Sequence, residues 1–61
     1  MNKSEQREVS KIIAYAAHLG ADFAARSLSA LIRASMRSKA KTEMLAIAQA
    51  HGWHKSPEFI A

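Results

Sequence analysis

Sixty-one residues make one domain, of a size that buries only about 60% of the surface its unfolded chain exposes and is correspondingly marginal. There is no cysteine, and the three histidines include one close pair, His51 and His54, without a thiolate or carboxylate cluster beside it. A disulfide is therefore excluded as a staple, neither metal nor cofactor is expected, and oligomerisation is the help that remains. Nine basic against five acidic side chains leave a formal charge of +4, which suits phosphates or carboxylates on a partner. The opening MNKSEQREVS has no apolar core of a signal peptide. The longest uninterrupted apolar stretch, 12–17, is far shorter than the ~20 residues that span a bilayer, so the expectation is a cytoplasmic chain that does not cross a membrane.

The first element is a helix over about 3–19. Asn2 followed three residues later by Glu5 has the form of a capping box, and Val9, Ile12, Ile13, Ala16 and Leu19 recur at helical spacing. Gly20 suits the left-handed position after a helix, and His18 suits its negative end. Asp22 then opens a second helix, across a turn short enough to force the two into a pair.

The second helix, over about 22–38, is the most informative segment. Asp22, Arg26, Ser29, Arg33 and Arg37 fall in one arc roughly 80° wide. The other side chains, among them Phe23, Leu28, Ala30, Leu31, Ile32 and Ala34, are apolar or small. They cover about two thirds of the circumference, and a helix apolar that far round is buried. The arc offers two docking faces. One, around Leu28, Leu31 and Ile32, takes the neighbouring helices; the other, around Phe23, Ala30 and Ala34, is left for a second copy of the chain.

No Gly or Pro lies between Ala21 and His51, so a single helix over 22–51 is an alternative. The apolar seam lapses through Ser35, Ser38 and Thr42, however, which puts the break at 38–42 and a third helix at about 42–51. Ser38 as N-cap is the rival boundary. The third helix turns Met44, Leu45, Ile47 and Ala48 inward and ends at Gly52, with Trp53 folding back on Ile47 or Ala48. Ser56, Pro57 and Glu58 form a last turn, after which Phe59 and Ile60 pack under the body. The fold class is all-α: three short helices and a C-terminal turn in a single domain over 1–61, as a homodimer.

Three groups of residues are candidates for function. Arg26, Arg33 and Arg37 make a basic strip that could meet a protein's carboxylates or nucleic-acid phosphates, against the plain reading of a solvated face. Tyr15 and Trp53 carry polar tips suited to an interface, against the plain reading that they close the edge of a small core. A helix-turn-helix built on Gly20 fits badly, because the buried positions of its second helix receive Ala25 or Arg26 and Ser29. Its recognition helix would also be the most apolar in the chain. The acids Glu5, Glu8, Asp22, Glu43 and Glu58 are scattered, and no nucleophile with a base or phosphate loop accompanies them. Catalysis is not expected. The alanine-rich apolar face also disfavours a helix lying on a membrane.

The run SLSALIRAS, the basic hinge RSKAK and the tail HGWHKSPEFIA, with the chain's length, resemble small helical proteins encoded in bacteriophage early regions. That resemblance implies a non-catalytic protein, homodimeric in some cases, that binds and inhibits a host regulator or machine. A mimic of DNA would be acidic, whereas this chain is basic. The reading is of a protein-binding protein with Arg26, Arg33, Arg37, Tyr15 and Trp53 in contact and Phe23, Leu28, Ala30, Leu31 and Ala34 in the dimer or core. A small basic DNA-binding regulator is the alternative.

Overall fold

The computed structural model describes residues 1–60. Helix α1 (Lys3–Leu19) starts on the expected capping box: the Glu5 amide donates to Asn2 Oδ1 at 2.7 Å, and the Asn2 amide donates to Glu5 Oε1 at 2.9 Å. It stops at Gly20, whose φ of 91° a side chain would strain. Helix α2 (Ala21–Ala34) follows directly, and helix α3 (Ser38–His51) ends at the left-handed Gly52. A single 3₁₀ turn, Trp53–Lys55, comes next.

The helices run up, down and up. Glu5 near the start of α1 meets Ser35 at the end of α2, and Tyr15 farther along α1 meets Phe23 near the start of α2. The Met1 ammonium reaches Glu43 of α3 at 2.9 Å, so the starts of α1 and α3 share one end of the molecule. α2 is the centre, with α1 and α3 packed mainly against it. The buried cluster joins Val9 and Ile12 of α1, Ala24, Ala25, Leu28 and Ile32 of α2, Ala40, Met44 and Ala48 of α3, and Trp53. Leu28 and Met44 have no exposed surface. The alanines beside them let the helix backbones approach closely.

The break after α2 falls earlier than 38–42, because Ser35 is recruited by tertiary contacts. Its amide closes α2 onto Leu31 and Ile32, its hydroxyl donates to Glu5 Oε2 at 3.2 Å, and the same oxygen accepts from the Arg37 amide at 3.3 Å. The second and third helices are thus 21–34 and 38–51, not 22–38 and 42–51. Thr42 lies inside α3 with its hydroxyl donating to Ser38 O at 3.0 Å, a helical back-bond in place of a cap. Ser38 begins α3, next to the rival boundary.

The polar arc of α2 is not a free strip either, since the C-terminal segment lies along it. Ser56 Oγ donates to Asp22 Oδ1 at 2.7 Å, Arg26 Nε to Glu58 Oε1 at 2.9 Å, and the Ile60 amide to the buried Ser29 Oγ at 3.0 Å. Every second residue of the segment meets a successive turn of α2. Phe59 packs against the core, while the Ile60 side chain stays exposed. The turn at Ser56 forms with its hydroxyl accepting from the Glu58 amide, but no helix follows it.

Replacing Leu28 by Ala should remove the centre of the core and lower the unfolding free energy by about 2–5 kcal/mol in a urea titration. A loss under about 1 kcal/mol would contradict that placement. Ser29→Ala takes the acceptor from the Ile60 amide, whose hydrogen exchange should accelerate while α2 amides keep their protection.

Candidate functional site

One side of α2 remains open among the described residues. Phe23, Ser27, Ala30, Leu31 and Ala34 recur at helical spacing along it, and together with Ile12 and Tyr15 of α1 they line a groove of about 440 Å³. The floor is low because Ser27, Ala30 and Ala34 are small, so a third helix could lie close to the α2 backbone. Tyr15 stands edge-on to Phe23, with ring centroids 6.4 Å apart at 74°, and walls off one end. Tyr15 is 54% exposed and Leu19, one turn on, is 60% exposed. Glu8 and Lys11, 3.8 Å apart on one turn of α1, supply the groove's charge and cancel each other.

The residues singled out in the sequence divide between surfaces. Phe23, Ala30, Leu31 and Ala34 gather in the groove with Tyr15, whereas Leu28 belongs to the core instead. Leu31 is only partly buried, so it is a groove residue and not an equal of Leu28 in the seam. Trp53 is not an exposed anchor: it is 6% exposed, packs in the core cluster with Ala48, and stacks on the His51 ring at 4.2 Å and 16°. The indole was placed by the Gly52 turn, which swings the chain back under α3.

The three arginines do not form one contact strip. Arg26 is engaged with Glu58 of the C-terminal segment, and Arg37 Nη2 donates to Glu5 Oε1 at 2.9 Å on the opposite end. Arg33 is exposed and has no ionic partner among the described residues. Nor can α2 serve as a recognition helix, because α1, α3 and the C-terminal segment surround most of it.

Glu5 was legible only as a helix cap, yet it joins three elements. The Asn2 amide, chiefly, and then the Ser35 hydroxyl and the Arg37 guanidinium hold its carboxyl below the usual 4.5, against the opposing effect of partial burial. The Met1 ammonium does the same for Glu43, helped by Lys39 and Arg37. Glu8, read only as one of the scattered acids, and Lys11 belong to the groove as well. Spacing could have found them, since Glu8, Ile12, Tyr15 and Leu19 follow one helical face.

The fold and its groove define a small all-α helical protein with an open apolar face. Neither a family model, nor a curated protein, nor a solved structure matches the chain.

A carboxylate whose pKa is depressed by folding stabilises the fold above its unfolded value, and that contribution is lost as pH falls through the folded one. The thermal midpoint should therefore drop on acidification below about pH 4.5, and Glu5→Gln should begin lower and flatten that drop. Parallel acid curves for the two proteins would place the linkage elsewhere.

Proposed function

We propose that this chain is a small non-catalytic protein-binding protein, that its docking surface is the α1–α2 groove, and that the occupant of the groove is a second copy of the chain. The observation that carries the reading is the apolar, low-floored face of α2 that stays open among the described residues, while its core face is packed and the C-terminal segment lies along its polar arc. Two helical hairpins laid groove to groove make a four-helix arrangement, the ordinary way for such a face to leave water.

Charge favours a copy over an acidic partner. The chain carries +4, yet the groove rim is neutral, with Glu8 and Lys11 as its pair. A copy presents an equally neutral rim, whereas a uniformly acidic helix would find no surplus of cations there. A target protein's helix with the same apolar spacing would compete with the copy, and such competition gives the inhibitor or modulator role that the resemblance to phage early-region proteins implies.

Sedimentation equilibrium should give about twice the chain mass at micromolar concentration, with a thermal midpoint that rises with concentration. Ala30→Glu, on an exposed groove position, should yield a monomer of unchanged helicity, while Ala50→Glu on the exposed face of α3 should stay dimeric. A wild type that is monomeric at hundreds of micromolar, or an Ala30→Glu protein that still dimerises, would overturn the proposal.

A further inference from the structure

The net charge of this protein is concentrated at one end. Lys3 and Arg7 at the start of α1, Arg33 at the end of α2, and Arg37, Lys39 and Lys41 at the start of α3 come together where these three termini meet. Glu5 and Glu43 are the acids there, so six cations face two anions and leave a surplus of four. The rest of the molecule has Lys11, Arg26 and Lys55 against Glu8, Asp22 and Glu58, three of each. Most of the formal +4 therefore lies at this end, with Glu8 on its border beside Arg7. Each acid there is already bonded, Glu5 to Arg37 and Glu43 to the Met1 ammonium.

The first turn of α3 violates its own local electrostatics. It has no acidic residue and no side-chain cap, and Arg37, Lys39 and Lys41 stand at the positive end of the helix dipole. Beside it lies a polar depression of about 350 Å³ lined by Met1, Arg37, Lys39, Ala40 and Glu43. Glu5 offsets Arg37 and Glu43 lies near Lys39, but Lys41 has no ion pair among the described residues, and a local rule left partly uncompensated marks a surface that an outside group completes.

We infer that this basic end binds the phosphate backbone of double-stranded nucleic acid, without base readout. The molecule measures 27 × 19 × 18 Å, so a face across its short dimensions spans about ten phosphate charges of a duplex, one per ~1.7 Å of axis. The cations sit on three helix ends, which a continuous polyanion can meet at several points at once. A bilayer is a poorer match, because the apolar group at the tip is a single side chain, Met36, which is 95% exposed. The inference uses none of the groove residues and stands apart from the dimer reading.

Fluorescence anisotropy with a labelled 20-base-pair duplex of arbitrary sequence, titrated with the full chain at several salt concentrations, tests it. Neutralising about four phosphates should give a log–log slope against salt of about −3.6. Arg33→Ala and Lys39→Ala should each flatten the slope by about one unit, and Lys55→Ala, the same charge change at the neutral end, should leave it as it is. All three positions are exposed, so circular dichroism should match the wild type. Equal effects of Lys55→Ala and Arg33→Ala would overturn the inference, as diffuse charge. Tighter binding to polyglutamate, or to vesicles one-third anionic phospholipid, than to the duplex at equal ionic strength would overturn it in favour of an acidic protein or a membrane.

Discussion

Keeping water off α2 is the constraint on which the rest of this structure depends. Its core face, Ala24, Ala25, Leu28 and Ile32, is covered by α1 on one flank and by α3 with Trp53 on the other. Large side chains are few, and so the packing relies on small ones: Ala24 and Ala25 are fully buried and bring neighbouring backbones close to the helix. Because α2 is short and central, every other element is positioned by where it can reach that helix. The C-terminal segment is no exception, since its three polar contacts go to Asp22, Arg26 and Ser29.

Glu5 is the second organising point. As the N3 residue of α1 it closes a capping box, and from the same position it receives the Ser35 hydroxyl and the Arg37 guanidinium. That contact halts α2 at Ala34 and turns the chain through an exposed Met36 into α3. A stop at this place puts Lys39 and Lys41 at the start of α3, where the dipole disfavours them, instead of at the end of α2, where it would favour them. The local electrostatic cost produces the segregated charge. The neutral apolar groove along α1 and α2 and the basic end at the helix termini are lined by different residues.

Helix class, the Asn2–Glu5 cap and the glycine stops were readable from residues alone, because each is decided within one turn of chain: a side chain three positions away, or a φ that only glycine holds without strain. The wide apolar circumference of α2 was readable for the same reason, since helical periodicity is local. So was the groove side around Phe23, Ala30 and Ala34, as whatever the core face left over.

Tertiary structure decided the matters that depend on partners distant in sequence. The end of α2 turned on Glu5, thirty residues before Ser35; the polar arc was claimed by Ser56, Glu58 and the Ile60 amide; Trp53 went into the core and not to an interface. Periodicity reports which face of a helix is polar but not what will lie on it, and solvent and the chain's own C-terminal segment satisfy the same donors and acceptors. Charge behaves alike: the sequence alone determined a surplus of four, and only the meeting of three helix ends gathered most of that surplus at one end of the molecule.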